Sequence, residues 1–495
     1  MTVVERVARL ASDSAALEHE AESPSVGPKQ VAIFVVVSLA LLMSSIDSTI
    51  VAVGLPNMVD GLNTNLVWIG WVLTAYSLMQ TIIMPMAGKL SDDFGRKNLF
   101  LGAVILFTVG SMLCAIAPNV YLLILFRVIQ AIGGGAFMPS AAGIVSDVFG
   151  PKNRGTAIGL FTSVFPIGGI IGPNLGGWVI DHYSWRAMFS VNVPIGIVLL
   201  AIGIFILPKG GRVAISSSID LLGAGMFAVG ICAIMYGMTV WGNNVDIDLQ
   251  VLIWFLVGIA GLILFVRHEG RSSDPMIDLR LLKERAFFAA NLYNLLYGAL
   301  VFGFFSFIPL YATYEYGMSA SAAGFILTPR AVVMIAVSAI SSFLLIRFGY
   351  RLPMIIGIIL VSISLFLTGQ GWHHVSFFGH GVSDIVLVSA LVMISGFGVG
   401  VGGPAANNAA IELMPEAVAQ ITGLRGMFRT TGGVLGTASI VLFLSHYKDQ
   451  GLGLAHVFVG LSVLVLLVIP PIFLIPDNAA MRHKAASRKI DSGLE

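Results

Sequence analysis

Five ionisable side chains interrupt stretches of sequence that are otherwise apolar. Asp47 lies mid-way along the run 31–55, Arg127 lies in 119–143, Arg330 in 320–346, and Arg425 and Arg429 in 421–445. A charge at the centre of a membrane-spanning helix costs about 2.5–3.5 kcal/mol even on a lenient insertion scale. Such groups must face protein or a wet cavity, and they mark where chemistry is done. A carboxylate can load and release a proton, because desolvation favours its neutral form and a nearby guanidinium its charged form. Asp47 is therefore the proton site this pattern selects, and a fixed cation such as Arg127 can hold a carboxylate ionised or release it when substrate arrives. Glu315 and Glu412 stand near the ends of two other runs and are read first as rim carboxylates, with a second proton or cation site as the alternative for Glu315.

The elements that hold these residues follow from composition. Of 495 residues 57% are hydrophobic and 11% charged, with mean hydropathy +0.92. Soluble domains carry about 25% charged residues, so a soluble globular protein and a disordered one are both excluded. A helix needs about 20 apolar residues to cross the hydrocarbon layer. Fourteen such runs are found: 31–55, 66–88, 98–117, 119–143, 156–179, 187–207, 219–241, 249–267, 287–312, 320–346, 352–371, 384–411, 421–445 and 454–475. Only Ala117-Pro118-Asn119 separates the third from the fourth, which predicts a tight turn there. With the N-terminus inside, 21 Lys and Arg fall in inner segments and only Arg186 and Lys448 in outer loops, as the positive-inside rule requires. Both termini are thus expected in the cytosol. Residues 1–29 are polar and of mixed charge, read as a cytosolic tail rather than a signal peptide.

The remaining composition narrows the function by exclusion. A net charge of +1 supplies no field for nucleic acid. Cys114 and Cys232 sit in apolar runs and point to neither a disulfide framework nor a metal motif. His373, His374 and His380 share one expected outer loop, read as solvated rather than metal-binding. No Gly-x-x-x-x-Gly-Lys-Ser/Thr run and no nucleophile–base pair is found, so neither an ATP-driven pump nor an enzyme is expected, and no cofactor or metal.

Phe94-Gly95 after the second run aligns with Phe348-Gly349 after the tenth. This is a degraded internal repeat, consistent with two six-helix bundles and two inserted helices. The expected organisation is a tail (1–29), a first bundle (30–207), a linker with helices 7 and 8 (208–286), a second bundle (287–476) and a tail (477–495).

The loop Gly88-Lys89-Leu90-Ser91-Asp92-Asp93-Phe94-Gly95-Arg96-Lys97 resembles the cytoplasmic signature of the major facilitator superfamily, in which Gly88, Asp92, Gly95, Arg96 and Lys97 form a conformational latch. Gly88 would end the helix, Gly95 would make the turn, and Asp92 would pair with a base or cap a neighbouring helix. Leu125-Phe126-Arg127-Val128-Ile129-Gln130-Ala131-Ile132-Gly133 resembles the fourth-span motif of the same superfamily. Gly168-Gly169-Ile170-Ile171-Gly172-Pro173-Asn174-Leu175-Gly176-Gly177 resembles the fifth-span motif of its proton-coupled exporters, where small residues allow close helix contact. Ser45-Ile46-Asp47-Ser48-Thr49-Ile50, Trp185-Arg186-Ala187-Met188-Phe189, Asn192-Val193-Pro194-Ile195-Gly196, Thr328-Pro329-Arg330 and Arg429-Thr430-Thr431-Gly432-Gly433 resemble patterns of the fourteen-span drug:proton antiporter branch. Arg425 belongs to none of these patterns and could instead lie at the cytosolic end of its helix.

The resemblance implies an all-α, major-facilitator-like membrane protein in a bacterial inner membrane, exporting amphipathic or cationic drug-like compounds in exchange for protons. Multidrug efflux and antibiotic resistance would follow. Its partners would be protons, a small amphipathic substrate and membrane lipids, with a monomer expected. Export of one native lipid, amino acid or metabolite is the alternative, and a non-transporting scaffold or receptor is the alternative of another class. Trp68, Trp71, Tyr76, Phe137, Phe165, Tyr293, Tyr297 and Phe305 lie in runs expected to approach the cavity, where aromatic faces suit lipophilic cations.

Overall fold

The computed structural model describes residues 27–208, 220–244, 247–272, 275, 281–373, 375–377, 380–413 and 418–477. Most of the expected N-terminal tail, the Lys209–Arg212 break, most of the C-terminal tail and His374 lie outside the described residues. Among the described residues, fourteen helices are long and apolar enough to cross a membrane. Spans 1 to 7 are Pro28–Val53, Leu66–Gly88, Arg96–Ala115, Val120–Phe149, Ala157–His182, Trp185–Ile206 and Leu221–Asn244. Spans 8 to 14 are Leu249–Glu269, Arg285–Tyr316, Ala320–Leu345, Arg351–Thr368, Asp384–Ala410, Leu424–Leu444 and Gln450–Ile472. Hydrocarbon offers no hydrogen bonds, so runs of this length must satisfy their backbone internally as helix.

Odd-numbered spans begin at one end of the bundle, the basic end, where Arg96, Arg285 and Arg351 open spans 3, 9 and 11. Even-numbered spans begin at the opposite end, where side chains cap several of them. Asn65, Asn119, Asp248, Ser319 and Asp449 accept from the N–H of Trp68, Leu122, Val251, Ala322 and Leu452, respectively. Asn119 thereby fixes the tight turn expected after Pro118.

Two sets of six spans pack by the same plan. In the first, span 3 packs on 4, 2 on 4, 1 on 5 and 3 on 6; in the second, 11 packs on 12, 10 on 12, 9 on 13 and 11 on 14. Each pairing maps onto its counterpart by a shift of eight spans. The aligned Phe-Gly pairs obey the same relation, with Gly95 at φ +86° and Gly349 at φ +72° turning the chain. Lys97 Nζ then donates to the carbonyls of Ile204 and Leu207 at the end of span 6 (2.6 and 2.9 Å). Arg351 Nε donates to the Ile475 carbonyl beyond span 14 (2.9 Å). The second loop has lost its consensus residues but kept its turn and its grip on the last span.

The two sets meet through contacts far from the basic end. Asn174 Nδ2 donates to Thr328 Oγ1 (2.6 Å) and the Ser321 N–H donates to Asp181 Oδ2 (2.9 Å), joining spans 5 and 10. Spans 2 and 13 touch where Gly70 faces Val441. The same shift of eight converts the 5–10 contact into 13–2.

Three details depart from the sequence reading. The second helix does not end at Gly88 but continues to Phe94, so Gly95 alone makes the turn. The backbone of 150–156 is helical, within Val120–Thr162, where an open loop was expected between 143 and 156. Asp47 lies in the last third of Pro28–Val53 rather than at its middle. Within the loop after span 11, β1 (Ser376–Phe377) and β2 (His380–Gly381) also form a small antiparallel hairpin.

Spans 7 and 8 pair with each other, and span 7 lies against both span 2 and span 13. Trp71 Nε1 donates to Thr239 Oγ1 at 2.8 Å across the first of these contacts. At the basic end of the hairpin, Asp220 Oδ1 accepts from the Gly223 N–H and lies 2.8 Å from His268 Nε2. Burial pushes the Asp220 carboxyl up, but hydrogen bonds from the Gly223 N–H, His268 and Glu269 outweigh it and leave the group below the usual carboxylate range. A depressed carboxyl stabilises the fold above the unfolded-state value of about 3.9 and loses that contribution as pH falls through its folded value. Thermal unfolding of wild type and Asp220→Asn should therefore differ at pH 7 and converge below about pH 4.

Candidate functional site

Four spans bring polar side chains to one point within the first bundle. Arg127 Nη1 donates to Asp47 Oδ2 at 2.6 Å, and both side chains are fully excluded from solvent. Gln130 Nε2 and Asn192 Nδ2 both donate to Asp47 Oδ1, at 2.8 and 2.9 Å. Gln130 Nε2 also reaches Ser111 Oγ at 2.6 Å, and Gln130 Oε1 accepts from Arg127 Nη1 at 2.6 Å. The guanidinium lies 3.8 Å from the Tyr76 ring centroid and donates through Nε to the Val72 carbonyl (3.3 Å). Both carboxylate oxygens are thus occupied, which is the arrangement of an ionised Asp47. Protonation would remove the charge that holds Arg127, and a buried guanidinium without its counter-ion is costly.

Gln130 and Asn192 occur in the quoted motifs, but no role was read for them, and Ser111 carried no signal at all. Uncharged polar residues are common in membrane helices. Only the packing of spans 1, 3, 4 and 6 shows that these three converge.

The glycines of span 5 lie directly behind this site. A Cβ on Gly168 would overlap Ser45, one on Gly172 would overlap Thr49 Oγ1 and the Ile46 carbonyl, and one on Gly176 would meet Ile50. These span 1 residues flank Asp47. Ser45 Oγ donates to the Phe165 carbonyl at 2.6 Å across the same contact. Gly177 faces the other way, onto the Ala320 carbonyl and Ser321 of span 10, and Gly324 of span 10 faces the Pro173 carbonyl. One helix therefore packs backbone-close on the carboxylate-bearing span and on the opposite bundle.

At the basic end, the latch residues reach span 4. Arg96 Nη1 pairs with Asp147 and donates to the Gly143 carbonyl. The Asp92 side chain lies outside the described residues. A methyl group at Gly95 would meet open space, so Gly95→Ala tests backbone strain alone. At φ +86° and ψ +133° the backbone is outside the left-handed helical region and costs an L-residue about 1–3 kcal/mol, and thermal unfolding in detergent should show that loss.

The remaining candidates divide. Arg330 lies over the Phe305 ring (3.3 Å from Cζ to centroid) and Arg429 near the Phe302 ring (5.0 Å). Arg425 stands second in span 13, at its basic end, but is buried there and donates through Nη1 to Asn407 Oδ1. Tyr293 and Tyr297 stack 5.6 Å apart. Trp68 packs on Tyr121 and Tyr236 rather than with the buried charges, and Phe165 is exposed. Phe137 does not line a cavity: it is fully buried against Phe100 and Phe107, as its position on the 3–4 contact dictates. Glu412 Oε1 accepts from the Tyr350 hydroxyl at 2.7 Å. Glu315 and Asp384 flank the His373 ring at 3.5 and 3.7 Å.

Fourteen spans among the described residues, twelve of them in two repeated bundles, a buried carboxylate–guanidinium pair and a glycine-lined seam between the halves define a polytopic membrane transporter. Sequence comparison gives the family. The profile of the Major Facilitator Superfamily matches residues 37–276 and 287–494, and the chain belongs to that superfamily. Multidrug resistance protein 3 of Bacillus subtilis is 34% identical over 433 residues, covering 85% of this chain and 82% of that protein. Multidrug transporter protein MdtP of the same organism is 31% identical over 402 residues, covering 80% and 72%. Among solved structures, a bacterial homolog of the human lysosomal transporter Spinster, in an inward-facing and unoccupied conformation, superposes with TM-score 0.65 at 16% identity. That match covers 92% of this chain and 98% of the other and shows the shared fold.

Proposed function

We propose that this transporter exports amphipathic or cationic drug-like compounds in exchange for protons, by alternating access. The observation that carries the reading is the solvent-excluded Asp47–Arg127 pair set against the glycine seam. By the positive-inside rule the basic end and both termini face the cytosol of a bacterial cell. The seam between spans 5 and 10 then closes the outer side, and the described arrangement faces inward with Asp47 ionised.

Opening that seam would expose Asp47 to outside water and a proton. The loaded, neutral carboxyl would release Arg127, and return to this arrangement would expel the proton as the pair re-forms. The two bundles, 30–207 and 287–476, are the moving bodies of this cycle, working as a monomer among lipids. A membrane potential supplies about 2.3 kcal/mol per charge per 100 mV. At roughly 150 mV this is about 3.5 kcal/mol, enough for a gradient of a few hundredfold. Multidrug transport is what the names of the two Bacillus relatives record of those proteins, and it supports the broad substrate range.

The test uses purified protein in liposomes with an imposed pH gradient and a panel of cationic, neutral and anionic fluorescent amphiphiles. Gradient-driven movement of at least one, abolished by a protonophore, is expected. Movement of every compound at a rate independent of the gradient would overturn the reading.

A further inference from the structure

The two halves share a frame but not a charge balance. In the first, Arg127 is matched by Asp47. In the second, Arg330, Arg425 and Arg429 have no carboxylate partner among the described residues. The Nε atoms of Arg330 and Arg425 are buried with no hydrogen-bond acceptor. Arg425 stands one helical turn before Arg429, Arg429 lies near the Phe302 ring, that ring is 6.0 Å from Tyr297, which stacks on Tyr293, and Arg330 lies over Phe305.

The backbone fixes the cluster. Span 9 contains a π-helical turn at Gly298–Phe302, directly after Tyr297; such turns recur at functional sites. A Cβ on Gly298 would overlap the Arg429 carbonyl, and one on Gly432 the Leu295 carbonyl, so spans 9 and 13 touch through their backbones. A Cβ on Gly396 of span 12 would overlap the Arg330 carbonyl. These contacts fix the backbone from which Arg330 and Arg429 project. The site remains reachable, with Arg330, Arg429, Tyr297 and Phe305 half-buried and Phe302 exposed.

Apart from Asn407 Oδ1, which accepts from Arg425, what such a cluster lacks among the described residues is an anionic acceptor. A planar guanidinium pairs in bidentate fashion with carboxylate, phosphate or sulfonate. Aromatic side chains offer large apolar faces beside them. We propose that Arg330, Arg425 and Arg429 bind the oxyanion of an amphipathic substrate whose apolar body lies on Tyr293, Tyr297, Phe302 and Phe305. This rests on the exporter reading and gives its substrate class an acidic headgroup, carried by a dissolved compound or by a lipid.

The experiment measures binding rather than transport, so it is independent of proton coupling. Wild type in phosphatidylcholine nanodiscs is titrated with pyrenebutyrate and with a pyrenyl trimethylammonium of matched length. The carboxylate probe should bind at least tenfold more tightly. Arg429→Gln and Arg330→Gln should each weaken it tenfold or more, Arg429→Lys should lose less, and the cationic probe should respond to none of them. Thermal unfolding of each variant checks that it is folded, and the two-probe comparison on wild type needs no variant. Weaker pyrenebutyrate binding when phosphatidylglycerol is included supports the site with a lipid as the source. Unchanged binding supports it with a dissolved compound as the source. Equal affinity for the two probes, or affinity unaltered in the folded Gln variants, overturns the proposal. Oxyanion binding without gradient-driven transport would leave the site standing and remove the exporter reading instead.

Discussion

Asp47→Asn should reduce gradient-driven transport to the leak rate and lower thermal stability at the same time. Asparagine keeps the shape of the side chain and an Oδ1 acceptor for Gln130 and Asn192. It cannot carry a proton, and it leaves the fully buried Arg127 without a counter-ion. Breaking a buried pair by removing one partner costs about 3–5 kcal/mol, of which the Tyr76 ring can offset up to about 2. Asp47→Asn with Arg127→Gln separates the two effects. The double variant has no uncompensated charge, so its unfolding temperature should recover toward wild type while its transport stays lost. The coupling between the two changes measures the pair. Wild-type gradient dependence in Asp47→Asn would move the proton site elsewhere, with Glu315 and Glu412 next to be tested.

Gly324→Leu should shift the protein out of the described arrangement. A Cβ at this position falls on the Pro173 carbonyl, and both partners are helix backbone. No side chain can turn aside to make room. Overpacking of this kind costs about 1–3 kcal/mol, which as a bias between two arrangements is about 5–150-fold in population. The cost applies only while spans 5 and 10 touch, so the arrangement with that seam open gains. Double electron–electron resonance between spin labels at Ile116 and Trp372, exposed on the two bundles at the seam end, should report a longer distance. Export should fall in parallel, because the cycle needs the seam to close again. An unchanged distance with full transport would show that this contact does not gate the molecule.

Charge in an apolar run was the legible part of the candidate site. Asp47 and Arg127 stand out because an unpaired charge there is expensive, and the structure places them against each other. Gln130, Asn192 and Ser111 were not legible, since none is costly enough alone to be conspicuous. The fourteen spans were readable because length and hydropathy leave no alternative to helix. The repeat was only faintly so: Phe94-Gly95 and Phe348-Gly349 shared two letters, whereas the positive φ at both glycines and the matched span pairings make the relation plain. Gly88 misled because a glycine can end a helix, yet nothing obliges it to where hydrogen bonding continues. Phe137 was not decided by sequence, because membership of a run that approaches the cavity does not tell a face turned to a neighbouring helix from one turned to the cavity.

The matched contacts between spans 5 and 10 and between spans 13 and 2 have a mechanical consequence. They sit on opposite sides of the pseudo-twofold axis that relates the halves. Tilting one half against the other loads both contacts, one held by two hydrogen bonds and backbone-close glycines, the other by Gly70 against Val441. The seam therefore resists small excursions with two springs in parallel and yields to a large one as a unit. In the proposed cycle, motion that parts one contact would leave the other holding the halves together.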